Sequence, residues 1–226
     1  MSRLDTKIAL RMPDLHRVLG RLASPGADPL WLVDTPTGVA PVYSTLYFDT
    51  PDLRDYRAHH NGRRLRRKYR YRRYHSTDAV FFEIKQRSSS RRTTKERVPT
   101  DRIPAMLGPA ELALAASLGL RPGPIVPTLE VGYRRLTLVG PSERITIDLG
   151  LRCRGRNRRT VDFSHVAILE VKQERRRPDS SIADSLRALG LRPHAMSKYC
   201  LGVAGCFDGV RDHRFRPRLR RLAAMA

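Results

Sequence analysis

Apolar and charged positions alternate along much of this chain with a period of two. Between Arg64 and Tyr74, Lys68, Arg70, Arg72 and Tyr74 fall on one side of an extended segment, and Tyr69, Tyr71 and Arg73 fall on the other. Over Val80 to Arg87, Phe82, Ile84 and Gln86 oppose Phe81, Glu83, Lys85 and Arg87. Side chains two apart on a strand share a face, so both stretches predict strands with one charged side. Further strands are predicted over Leu4–Leu10, Val42–Phe48, Lys95–Val98, Leu129–Val139, Arg144–Asp148 and Val166–Gln173. Helices are predicted from Pro13 to about Leu22, over Ile103–Leu118, near Ile182–Leu189 and over His194–Val203, with a short helical turn from Asp49 through Tyr56. Ser24–Pro41 and Arg152–Thr160 read as loops, and Gly140-Pro141-Ser142 as a hairpin turn.

Seven or eight strands joined mostly by hairpins, with helices interposed, predict an α+β fold. The expected architecture is an antiparallel β-barrel of about eight strands with helices packed outside, because closure removes exposed edges. Helices on the outside cover the apolar faces, which leaves the charged faces to line the interior. The expected division is a domain over residues 1–206 and a basic C-terminal tail over 207–226, mobile from about Arg211.

Charge sharpens this picture. The chain carries 44 Lys+Arg against 22 Asp+Glu, a formal net charge of +22, which points to an anionic partner. Only six of those cations are lysines, and three of them follow a carboxylate by two positions on predicted strands: Asp5-Thr6-Lys7, Glu83-Ile84-Lys85 and Glu170-Val171-Lys172. Like charges ~6 Å apart at an effective dielectric of 20 repel by roughly 3 kcal/mol. A lumen lined with cations therefore demands a polyanion, and phosphate oxygens suit both the Arg fork and the Lys point charge. Three cysteines without a CxxC pair, together with the lack of an apolar leader or of any ~20-residue apolar run, lead to the expectation of a cytoplasmic protein. No P-loop, HExxH or zinc-spaced Cys/His set is present.

The residues Tyr47-Phe48-Asp49-Thr50, Lys68-Tyr69-Arg70-Tyr71-Arg72-Arg73-Tyr74 and Phe82-Glu83-Ile84-Lys85 resemble, in order, motifs of the VTC (vacuolar transporter chaperone) domain. So do Tyr133-x-Arg135, Arg144-Ile145-Thr146-Ile147-Asp148, Ile168-Leu169-Glu170-Val171-Lys172 and Ser197-Lys198-Tyr199. The resemblance runs from about Asp5 to Ala204. It implies the triphosphate tunnel metalloenzyme fold, an eight-stranded antiparallel tunnel, and polymerisation of inorganic polyphosphate from ATP.

It further implies that Lys7, Arg70, Arg72, Lys85, Lys95, Arg135, Arg144 and Lys198 contact phosphates, with Lys172 beside them. Glu170 falls at the position that holds a divalent metal, Mn2+ or Mg2+, with Glu83 and Asp148 the next candidates. The wider superfamily opens on an acid-x-acid-x-Lys strand, whereas here the first acid is replaced by Arg3, leaving Asp5 and Lys7. Fewer carboxylates argue against a two-metal hydrolase.

The leading expectation is thus a metal-dependent polyphosphate polymerase. An inorganic tripolyphosphatase or nucleoside triphosphatase and a non-catalytic polyphosphate-binding module are the alternatives. Nucleic acid is disfavoured as a partner, because cations inside a lumen cannot reach a duplex groove. The basic tail is expected to anchor to an anionic membrane surface or to the emerging polyanion, or to be inert.

Overall fold

The computed structural model describes residues 4–88, 93–175 and 177–226. Ten strands form one antiparallel sheet, and eight of them make a continuous path. In chain order these are β1 (Leu4–Arg11), β2 (Trp31–Leu32), β3 (Val42–Asp49), β4 (Arg66–Tyr74), β5 (Ala79–Arg87), β6 (Thr93–Thr100), β7 (Val126–Val139), β8 (Glu143–Gly155), β9 (Thr160–Phe163) and β10 (Val166–Gln173). The spatial order is β1-β10-β8-β7-β3-β4-β5-β6, with β2 added to β7 and β9 to β8. Six helices occur among the described residues: α1 (Met12–Leu22), α2 (Arg54–His60), α3 (Pro109–Ser117), α4 (Ser181–Ala188), α5 (Lys198–Cys206) and α6 (Arg216–Ala223).

The sheet curls without closing. Among the described residues β1 and β6 share no ladder, yet Lys7 of β1 lies close enough to Lys68 of β4 and Lys85 of β5 to depress their affinity for protons. The free edge of β6 carries Lys95, Glu96, Arg97 and Pro99, residue types that blunt pairing with another strand.

Alternation explains the two faces. On the convex side, Ile8, Leu10, Ile145, Ile147, Leu169 and Val171 pack against Leu15 and Val18 of α1 and Ile182 and Leu186 of α4. A second convex core joins Phe48, Tyr69, Tyr71, Phe82 and Ile84 to Ala115 of α3. These helices lie outside the sheet, as alternation requires.

Helix α5 lies elsewhere. The concave face is charged over only part of its length: along β10, Val166 and Ile168 precede Glu170 and Lys172 on one side. The apolar part collects Leu129, Val131, Leu151, Cys153, Val166 and Ile168 around Tyr199, Leu201, Val203 and Cys206. So α5 fills one end of the concavity. Gly202 permits the approach, since a Cβ there would stand 2.5 Å from Leu129 Cδ2 and 3.0 Å from Cys153 Sγ.

Two expectations about local structure are corrected. Arg152–Gly155 continues β8 instead of forming a loop, with Leu151 and Cys153 buried and Arg152 and Arg154 exposed. Gly150 takes φ +63° at a register shift against β7. This β-bulge moves the inward set from Thr146 and Asp148 to Leu151 and Cys153, and hides the alternation from a strict period-two reading.

Where a mobile tail was expected, the structure has a helix, α6, packed on the α5 core through Phe215 and Leu222. Tyr56 Oη donates to the Arg211 carbonyl at 2.8 Å. The apolar spacing Phe215, Leu219, Leu222 within an Arg-rich run is what seats it.

Leu222→Ala should therefore destabilise the protein by about 2 kcal/mol, a fall in Tm of about 4–8 °C for a chain of this size. Calorimetry on the full-length variant checks this; an unchanged Tm would mean that the helix contributes nothing to the fold.

Candidate functional site

The charged part of the concave face is built by the alternate positions of β1, β3, β4, β5, β6, β7, β8 and β10 together with the first turn of α5. Ser197 caps α5, accepting from the Cys200 amide at 3.3 Å, and also accepts from Lys68 Nζ at 2.9 Å. That ties the helix start to β4. Lys198, the first residue of the helix, reaches Asp148 of β8 and stands 4.9 Å from the centroid of the Tyr133 ring.

Three carboxylates sit among the cations, in unequal situations. Glu83 is fully buried and held by Arg70 Nε at 2.6 Å and Nη2 at 2.5 Å and by Lys95 at 2.5 Å. Burial opposes its ionisation, but Arg70, Arg72 and Lys95 outweigh that and bring its pKa down to about 2. Asp148 receives both Nε and Nη2 of Arg135, at 2.5 and 2.9 Å, besides Lys198. Despite its burial, these cations hold it well below the usual carboxylate range.

Glu170 is the loosest of the three, with Lys7 at 3.7 Å and Lys172 at 3.6 Å. Burial pushes its pKa up; Lys7, Lys172, Lys198 and Arg135 more than offset this, so it too is ionised at neutral pH. The sequence pattern paired Glu170 with Lys172 alone; the β1–β10 register adds Lys7 directly opposite.

Among the described residues Arg72 and Lys85 form no salt bridge. Arg72 is buried, its Nε donates to Thr45 Oγ1 at 3.3 Å, and it acts on Glu83 from a distance. Lys85 is lowered to about 8, first by burial and then by Lys7, Lys68 and Arg70. Arg144 stands apart from this cluster. It shares the inward parity of Thr146 and Asp148 and pairs in register with Lys172, but it is exposed and borders a separate depression with Ser142 and Glu174.

The structure adds residues that sequence reasoning left out of the site. Lys68 lies on the same alternation as Arg70 and Arg72, a signal that was available. Tyr47, which accepts from Arg70 Nη1 at 3.2 Å, and Thr146, whose buried hydroxyl has no partner and faces Glu170 across the ladder, gave no such signal.

Among the described residues no cluster of three His, Cys, Asp or Glu forms a ready-made metal cage. The donor set still fits one hard divalent cation: Glu170 has both oxygens free of short hydrogen bonds, beside the orphaned Thr146 hydroxyl. Phosphate oxygens and water would supply the rest of its shell.

A family model described as the VTC domain matches residues 5–207. Among solved structures, a candidate adenylyl cyclase from Hippeastrum, described as having a dominant triphosphatase activity, aligns with TM-score 0.53 at 16% identity, covering 92% of this chain and 98% of that one. A candidate adenylate cyclase from Bacillus halodurans aligns with TM-score 0.52 at 10% identity, covering 95% and 99%. At these identities the likeness is one of fold. No curated protein matches the chain by sequence.

Asp148→Asn should leave Arg135 and Lys198 facing each other with only the more distant Glu170 to offset them. The expected cost is about 3 kcal/mol, or a Tm lower by about 6–12 °C, partly restored by added sulfate. A variant as stable as the parent would show that the pair is not held as described.

Proposed function

We propose that this chain, which belongs to the VTC domain family, is a metal-dependent phosphotransferase that extends inorganic polyphosphate from a nucleoside triphosphate such as ATP. Its fold is that of triphosphate-tunnel proteins, and the coarser reading, a site for triphosphate-like substrates, follows from family and fold together. The observation that carries the finer reading is the excess of cations over carboxylates in the lumen: among the described residues Arg72 and Lys85 form no salt bridge, with Glu83 and Asp5 acting on them only from a distance.

In this reading Arg70, Arg72, Lys85, Lys95, Arg135 and Lys198 bind and orient the phosphates, and Tyr47 and Thr45 fix the guanidinium planes. Lys7 and Lys172 flank Glu170 from β1 and β10, and Arg144 of β8 lies beyond Lys172, with which it pairs in register. Glu170, with Thr146 beside it, would hold the divalent cation, Mn2+ or Mg2+. When bound, such a cation offsets the charge that develops on the transferring group.

A terminal oxygen of the acceptor chain attacks the γ-phosphorus. The bond from that phosphorus to the β–γ bridging oxygen breaks, and the nucleoside diphosphate leaves with the electron pair. The attacking oxygen is already anionic at neutral pH, so no protein base has to deprotonate it. This supports transfer over hydrolysis: Glu83 and Asp148 are committed to cations and too acidic to accept a proton from water.

No described helix is long and apolar enough to cross a membrane, and the reading requires none.

Purified protein given ATP and Mn2+ should make long-chain polyphosphate. Free phosphate as the sole product would support the tripolyphosphatase alternative, and neither product would leave a binding module.

Glu170→Gln should keep tripolyphosphate binding while lowering turnover by at least about 100-fold, the scale for losing one preorganised electrostatic element. Parent-like turnover and metal dependence would move the metal to another carboxylate.

Lys85 gives a pH signature. Its ammonium is present below about 8 and lost above it, so tripolyphosphate affinity should fall as pH rises through 8. Lys85→Met should bind more weakly at pH 7 and flatten that dependence; titrations at several pH values read both effects, and a flat parent profile would remove Lys85 from the site.

A further inference from the structure

Along the β4–β5 ladder, charge compensation stops abruptly. Arg70 faces Glu83, but the next two inward pairs set like against like: Lys68 opposite Lys85, and Arg66 opposite Arg87. Like charges directly opposite on a sheet are destabilising. These pairs form one wall of a cavity of about 520 Å³ whose other wall is the C-terminal segment, with Arg214 and Arg218.

Among the described residues, no Asp or Glu lines the cavity. Arg66 Nε is buried there without a hydrogen-bond partner. His59 borders the same space and is held neutral, its pKa lowered to about 3 by burial and then by Lys68 and Arg66. Arg214 is admitted by a glycine: Gly62 takes φ +69°, and a Cβ there would stand 2.8 Å from Arg214 Nη1.

Lys68 and Lys85 belong both to this cavity and to the lumen, where Lys85 interacts with Lys7 and Arg70. The strip of cations that form no salt bridge among the described residues is therefore continuous from the lumen to α6. We infer that the cavity between β4–β5 and the C-terminal segment is a second anion-binding segment, which holds a linear condensed phosphate chain as it runs between the lumen and solvent.

The inference rests on the polyphosphate reading of the lumen. It assigns a function to residues 208–226, which lie beyond the family match. A phosphate chain suits the cavity better than single-stranded nucleic acid, which is gripped by stacking bases on exposed aromatic faces. Here Phe215 is buried, and the rings of His60 and His213 pack edge-to-face at 4.2 Å.

The test compares tripolyphosphate with long linear polyphosphate as ligands for the full-length protein, by calorimetry at fixed salt. The double variant Arg214→Ala/Arg218→Ala should bind long chains about tenfold more weakly, roughly threefold per partly exposed contact, with tripolyphosphate affinity unchanged. The double variant Arg220→Ala/Arg221→Ala removes the same charge outside the cavity and should lose clearly less. Should the first variant lower Tm by detaching α6, Arg87→Gln on the strand wall repeats the measurement.

Parent-like affinity of both cavity variants for long chains overturns the inference, as does an equal loss for the two ligands. Equal competition by a single-stranded oligonucleotide overturns the choice of ligand. Failure of the parent protein to bind tripolyphosphate overturns the lumen reading instead, and the long-chain comparison still decides the cavity.

Discussion

The structure depends on keeping many like charges on one concave surface. Coulomb repulsion between neighbours there is of the order of 3 kcal/mol at ~6 Å, comparable with a sizeable fraction of the stability of a whole domain. The fold tolerates this by interposing each lumen carboxylate between two or more cations: Glu83 among Arg70 and Lys95, Asp148 between Arg135 and Lys198, Glu170 between Lys7 and Lys172. Three apolar cores carry the compensating burial. Two are convex, under α1 and α4 and under α3, and the third lies inside the curl around α5.

The position of α5 follows from the same constraint. A concavity charged along its whole length would repel itself at every level, and one apolar along its whole length would collapse. This chain divides the face: Leu129, Val131, Leu151, Cys153 and Ile168 take up the helix, and the charged residues beyond them are left as a lumen. The helix is not merely a plug, because its first turn contributes Ser197 and Lys198 to that lumen. Its Tyr199 also reaches Asp49, whose carboxylate accepts from the Asp55 and Tyr56 amides at 2.9 and 2.8 Å at the start of α2. Packing and site are thus set by one short segment.

Much of this was legible in the sequence, because a period of two is simple to read where it is unbroken. β4 and β5 declare both their conformation and their charged face, and the motif order pointed to the tunnel family. Four features escaped for physical reasons. The bulge at Gly150 shifts the alternation by one residue and makes the far half of β8 look like a loop. Phe215, Leu219 and Leu222 are diluted by arginines, so α6 reads as a basic tail although its apolar spacing is helical. The like-charge pairs Lys68–Lys85 and Arg66–Arg87 depend on register, which a sequence without its turns does not fix. The openness of the sheet between β1 and β6 escaped as well, since alternation specifies faces and not partners.

All six lysines lie on the concave side, while arginine is spread over the whole surface, and their contacts there differ in kind. Arginine makes the fixed pairs: Arg70 clasps Glu83 and Arg135 clasps Asp148, each through two nitrogens, and a planar fork committed in this way cannot swing. Lysine makes several of the looser ones, with Lys7 and Lys172 beyond hydrogen-bond length from Glu170 and Lys85 in no salt bridge among the described residues. An ammonium on a flexible stem can turn towards a phosphate oxygen without breaking a bidentate pair. Under the proposed polymerase activity, a substrate that is gripped and yet advances by one phosphate at a time would use both kinds of contact: forks that hold the frame of the lumen and point charges that exchange partners. In that reading the division of labour is a reason for lysine to be retained in a chain that otherwise prefers arginine.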